Sequence, residues 1–251
     1  MGYGVAGPLL VCLRPGWGRC MNPLISKLTG SPVLARVAPF LLFILLTFVQ
    51  GHAGGSAPFW IYFAKTLVTA WLLWLVRGAV SELRWHLSWE AVVVGVGVFV
   101  LWIGLDVILV RLGFPNSYPK LSLNGAAWNP HVAFGQGTGL AWFFLLVRVL
   151  GSSLVVPPME EVFFRSFLYR FIARSDFLSV PLGAFLWFPF LAASSVFGAE
   201  HREWLAGILS GFAYQALVCR KKRLGDAITA HALTNFLLGL WVIWQGAWQY
   251  W

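Results

Sequence analysis

In the stretch PPMEEVFFRSFLYR, Pro157 to Arg170, two adjacent carboxylates, Glu160 and Glu161, are followed by Arg165. Glu161 and Arg165 stand four apart, so on a helix they share one face in the favourable acid-before-base order and can neutralise each other. Glu160 points about 100° away and has no such local partner. A carboxylate kept in apolar surroundings is a natural general base for water. The bland alternative is that both acids serve the start of a helix after the prolines, where negative charge favours the macrodipole. Two further pairs carry chemistry: Phe197 and His201 in SSVFGAEHREW, and His231 and Asn235 in TAHALTN, each one helical turn apart. A histidine can be base, acid, metal ligand or oxyanion donor, and an asparagine can orient water or donate to developing negative charge. Each spacing alone equally fits an interfacial or packing residue.

The elements that must position these residues are membrane helices. The chain has 251 residues, 59% hydrophobic and 11% charged, with 15 Trp and 21 Phe. Its repeated apolar runs would leave large apolar surfaces in water, which excludes an ordinary soluble domain. Runs long enough to span about 30 Å lie near 34–50, 58–80, 90–112, 138–156, 178–199, 203–219 and 226–245. Pro157 and Pro158 lack backbone donors and should end one helix, with a new one beginning in the same place. Whether residues 160–174 span decides between seven and eight passes, so the expected fold is an all-α polytopic bundle of seven or eight helices. With seven passes and the N-terminus inside, the basic residues of positions 14–36, 77–84, 165–174 and 220–223 face the cytoplasm, leaving Arg111, Lys120 and Arg202 outside. That scatter over loops explains the net charge of +9 without nucleic acid. Cys12, Cys20 and Cys219 have neither metal-ligand spacing nor even number, so they read as inert thiols. No cleavable signal pattern opens the chain, and Met21 offers an alternative start. Trp85, Trp89, Trp244, Trp248 and Trp251, near segment ends, read as interfacial anchors rather than substrate contacts.

Taken together and in this order, EExxxR, FxxxH and HxxxN in apolar segments resemble the CPBP family of intramembrane proteases, which includes the CAAX prenyl proteases. The resemblance covers about residues 138–245 and implies a catalytic core there, after an N-terminal segment (1–33) and N-terminal helices (34–137), with an interfacial tail at 246–251. It implies an endopeptidase in which Glu160, with His201, activates water, His231 and Asn235 stabilise the oxyanion, and Glu161 with Arg165 supports. The same Glu160, His201 and His231 could instead hold a divalent metal such as zinc. No HExxH fixes that choice, and the metal-free version is favoured because Asn235 is a poor zinc ligand but a good oxyanion donor. His201 and His231 fall at different depths by simple counting, so a helix must break or tilt, with Pro181, Pro189 and the paired prolines as candidates. One departure stands out: the position before His201 is usually small in the family, whereas here Glu200 precedes it and Arg202 and Glu203 come after it, forming a local ion pair or modifying the site. EHREW and the ending GAWQYW are similar to the CAAX protease-related proteins of exosortase systems, which implies a bacterial inner membrane and unprenylated substrates. The implied partners are membrane lipids and a protein or peptide substrate, with oligomeric state open. A transporter lined by Lys65, Asp106 and Arg148, or a non-catalytic scaffold, is the rival reading.

Overall fold

The structure, a computed structural model, describes residues 23–113 and 128–251, and within them every regular element is helical. Cys12, Cys20, Met21, Lys120 and the Asp106 side chain lie outside the described residues. A short α1 (Pro23–Gly30) leads into α2 (Pro32–Gly51), which starts where the Ser31 hydroxyl accepts the Leu34 N–H and Pro32 occupies the first turn. Then come α3 (Ala57–Val76), α4 (Trp89–Arg111) and the single-turn α5 (Pro130–Phe134). Thr138 caps α6 (Gly139–Leu150) by accepting the Ala141 N–H.

Pro157 and Pro158 do not end a helix. The chain stays helical from Gly139 to Ala173, 35 residues, through a π-turn at Gly151–Val155, α7 (Val156–Glu161), a second π-turn at Val162–Leu168 and α8 (Tyr169–Ala173). The physical reason is local. The Val156 N–H reaches back to the Gly151 carbonyl, one residue further than in an α-helix, and Pro157 has no N–H to offer the Ser152 carbonyl. That carbonyl is satisfied from another helix, by Asn235 Nδ2 at 2.8 Å. A proline that would break an isolated helix is therefore carried by a tertiary donor.

The expected span at 178–199 is also corrected. After a single 3-10 turn at Phe177–Ser179 the chain is irregular past Pro181, and α9 (Trp187–Ala199) begins only at Trp187, with Pro189 in its first turn. Its 13 residues reach about 20 Å. It pairs antiparallel with α10 (Trp204–Lys221) through small residues: a Cβ on Gly198 would stand 2.3 Å from Ile208 Cγ1 and 2.6 Å from its backbone N, and one on Gly211 2.9 Å from Ser194 Cβ. α11 (Gly225–Gln245) closes the bundle against α4, where Thr234 donates to the Gly95 carbonyl at 2.9 Å. Among the described residues five helices are long and apolar enough to cross a membrane: α2, α3, α4, the 35-residue run and α11. This is an integral membrane protein, and its outer face carries exposed Phe48, Trp74, Phe188 and Trp244.

Charges gather at one end of the bundle. Glu82, after α3, accepts from Arg36 at the start of α2, from Arg170 at the end of the long run, and from the Ser166 hydroxyl. Burial alone would raise the Glu82 carboxyl, but the Ser166 and Arg36 bonds outweigh it and hold it below its ordinary value. Glu90 pairs with Lys221 at 3.1 Å, and Asp226 with Arg223 and the Ser88 hydroxyl. The two groups meet where the His86 N–H approaches the Gly225 carbonyl. Arg165, expected among the cytoplasmic residues, belongs to neither group and is buried inside the bundle.

Candidate active site

The long helical run delivers Glu160 and Glu161, both buried, to the contact with α11. Glu161 lies 3.1 Å from Arg165 Nε, an ion pair without the alignment of a hydrogen bond at that oxygen. Its other oxygen accepts from His231 Nδ1 at 3.0 Å. Glu161 therefore does more than balance Arg165, because it fixes the orientation of the His231 ring and turns Nε2 outward. That Nε2 stands 3.8 Å from Glu160 Oε2, an oxygen that is buried without a hydrogen-bond partner.

His201 sits just past the end of α9 and lies 2.8 Å, through Nδ1, from the Phe197 carbonyl. A carbonyl only accepts, so Nδ1 carries the hydrogen and the neutral ring keeps an unprotonated Nε2 for other work. Phe197 is the hub of the site. Its ring contacts those of His201 (4.8 Å), His231 (5.8 Å) and Tyr214 (6.3 Å), and the Arg165 guanidinium lies 4.3 Å from its centroid. Tyr214 stacks almost flat on His231, 4.9 Å between centroids and 18° between planes, while its hydroxyl donates to Thr234 at 2.8 Å. Sequence reasoning missed Tyr214, since nothing local separates it from any other aromatic of α10.

His201, His231 and Asn235 line one cavity of about 260 Å³ together with Trp102, Arg148, Ser152, Glu200, Thr234 and Trp251. Glu160 stands next to two of these lining residues, one carboxylate oxygen gathered with a ligand atom each of Glu200 and His201 within 4.8 Å of one another. Glu200, the departure from the family pattern, thus stands at the site itself with one buried oxygen lacking a hydrogen-bond partner. The donor trio that gathers is Glu160, Glu200 and His201, whereas the metal set expected from the motifs had His231 in place of Glu200. Two orphaned carboxylate oxygens and one imidazole nitrogen fit a divalent cation. Asn235 lines the cavity but gives one N–H to the Ser152 carbonyl, leaving its second N–H for other partners. Trp251, expected as an interfacial anchor, instead folds back into the cavity wall and packs on Trp128.

Residues 140–237 match the family model described as Type II CAAX prenyl endopeptidase Rce1-like. This part of the chain is CAAX protease-like. No curated protein and no solved structure matches the chain. The matched segment runs from α6 into α11 and contains all seven motif residues, while α2, α3, α4 and, of the Glu82 group, Arg36 and Glu82 fall outside it.

Proposed function

We propose that the chain is an intramembrane endopeptidase, seated in a bacterial inner membrane, that hydrolyses a peptide bond of a membrane-associated protein or peptide. The observation that carries this reading is His231 held between the two carboxylates, donating to Glu161 and facing Glu160, beside His201 in one cavity. A water between Glu160 and His201 gives a proton to Glu160 Oε2 or His201 Nε2 as its oxygen attacks the substrate carbonyl. The carbonyl becomes an oxyanion, which the free N–H of Asn235 and His231 Nε2 stabilise. Because Nδ1 already donates to Glu161, a His231 that also donates from Nε2 is the imidazolium, and Glu161 balances that charge. As the tetrahedral adduct collapses, the carbon–nitrogen bond breaks and the proton passes to the leaving amine. Were a divalent cation bound, Glu160, Glu200 and His201 would hold it, and it would make bound water more acidic.

The deciding experiment compares Glu160→Gln with the parent on a native substrate. Proteolysis should fall by about 10²-fold or more, the usual cost of losing a general base, with thermal stability and yield unchanged. Full activity in a correctly folded Glu160→Gln protein would sink the mechanism.

A further inference from the structure

The proteolytic mechanism leaves the cavity-lining Arg148 without a task. Arg148 lies one helical turn before Ser152 on the same face of the long run, inside the cavity that holds His201 and His231. Its guanidinium is caged by rings: Tyr62 at 4.5 Å from the centroid, Trp128 at 5.2 Å and Trp251 at 5.8 Å. Ring faces attract the charge but accept no conventional hydrogen bond from its five N–H groups. Its Nε is buried without a partner, and no carboxylate among the described residues pairs with it. A second basic side chain stands nearby. Lys65 Nζ, bound to the Thr47 hydroxyl at 2.6 Å, lies 5.1 Å from the centroid of the same Tyr62 ring. Charge placed in a membrane-embedded bundle without a counter-charge is costly and marks a ligand by default.

We propose that Arg148 is a specificity residue that binds a carboxylate of the peptide substrate, either its C-terminal carboxylate or an Asp or Glu side chain. The rings surround the guanidinium without accepting conventional hydrogen bonds from it, and a guanidinium with N–H groups to spare takes a carboxylate through two parallel hydrogen bonds. Along the helix Arg148 and Glu160 are about 18 Å apart. An extended peptide covers roughly 3.3–3.6 Å per residue, so the recognised carboxylate falls within about five residues of the scissile bond. This assignment rests on the proteolytic reading for its meaning, yet it can be tested without cleavage.

The probe is a set of three fluorescent peptides of one apolar sequence: a free C-terminal acid, its C-terminal amide, and the amide carrying one internal Asp. Binding is measured on the full-length, detergent-solubilised protein carrying Glu160→Gln, which leaves the peptides intact. The acid or the Asp peptide should bind at least tenfold more tightly than the plain amide, and whichever does so identifies the source of the carboxylate. Adding Arg148→Gln should abolish that preference while leaving affinity for the plain amide unchanged, and Arg148→Lys should restore only part of it. In the active enzyme the same substitution should raise KM for the preferred peptide at least tenfold with kcat little altered. Equal binding of all three peptides, or equal loss for all three in Arg148→Gln, overturns the proposal. So does a result in which Arg148→Gln and Glu200→Gln destabilise the protein equally and non-additively, since Arg148 would then serve an internal pair. Retained peptide preference in Arg148→Gln, with loss of stabilisation by anionic lipid vesicles, would assign the residue to a lipid phosphate instead. Carboxylate preference without any cleavage would keep Arg148 in this role while removing the protease reading.

Discussion

At the scale of single residues, the two adjacent glutamates separate cleanly. Glu160 has a free oxygen facing His231 Nε2, whereas Glu161 is spent on Arg165 and His231 Nδ1. Glu161→Gln keeps the shape but leaves Arg165 with no anionic partner in a fully buried position, and breaking such a pair costs about 3–5 kcal/mol. The expected outcome is therefore low yield and a depressed Tm. Arg165→Gln in the same molecule should recover much of the stability, because it removes the uncompensated charge. Activity should not return with it, since His231 would still lack the carboxylate that orients its ring. A double variant restored in both stability and activity would show that Glu161 serves Arg165 alone. The EExxxR spacing made the Glu161–Arg165 pair legible in the sequence, because acids and bases are so few in apolar segments that each one has to be explained. The link from Glu161 to His231 was not legible, since it joins residues 70 positions apart. Tyr214 was obscured for the same reason, while Glu200 stood out in the sequence as a departure able to form an ion pair or modify the site, and only packing places it beside Glu160 and His201.

The long helical run is the element on which the site depends, and the sequence misled most here. Proline chemistry correctly predicts that Pro157 and Pro158 cannot complete an α-helical ladder, but that ladder is completed across the bundle by Asn235 and locally by a π-turn. Each π-turn inserts one residue and so rotates the rest of the run by about 100° relative to an uninterrupted helix. It is this offset that presents Glu160 and Glu161 to α11 while Gly151 packs against Tyr62 and Thr66 of α3. Pro157→Ala restores a backbone N–H that in an α-helical turn donates to the Ser153 carbonyl, so the turn can relax toward an α-helix, with the Val156 N–H moving from the Gly151 carbonyl to that of Ser152 in competition with Asn235. Cleavage should then fall about tenfold or more with yield preserved or improved, since the substitution removes a helix-breaking residue. Unchanged kinetic constants would mean that the π-turn is held by packing alone and that the proline has no part in aiming the carboxylates. The same logic covers α9 and α10. Their close approach depends on Ser194 and Gly198 of α9 and Gly207 and Gly211 of α10, two small residues four apart on each helix, a pattern present in the sequence but not read there.

For the molecule as a whole, the charge groups define which end is which. The Glu82 group and the Glu90–Lys221 and Asp226–Arg223 pairs collect the starts of α2, α4 and α11 and the ends of the long run and α10 on one side. By the positive-inside rule we propose that this side is the cytoplasmic one. The cavity is directed the other way. Trp102 on α4 and Leu238 on α11 lie about 20 Å along their helices from the charged end, and Arg202, Tyr250 and Trp251 complete the lining beyond them. Substrate would then reach the cavity from the non-cytoplasmic half of the membrane. In a cysteine-free background, Tyr250→Cys should react with a membrane-impermeant maleimide added to intact cells, whereas Arg220→Cys, on an exposed side chain at the charged end, should react only after permeabilisation. A reporter fused after Arg223 should behave as cytoplasmic in parallel. If Arg220→Cys is labelled from outside and Tyr250→Cys is protected, the orientation is inverted. The carboxylate-bearing substrate of Arg148 must then be sought on the cytoplasmic side, with the site's internal geometry unchanged.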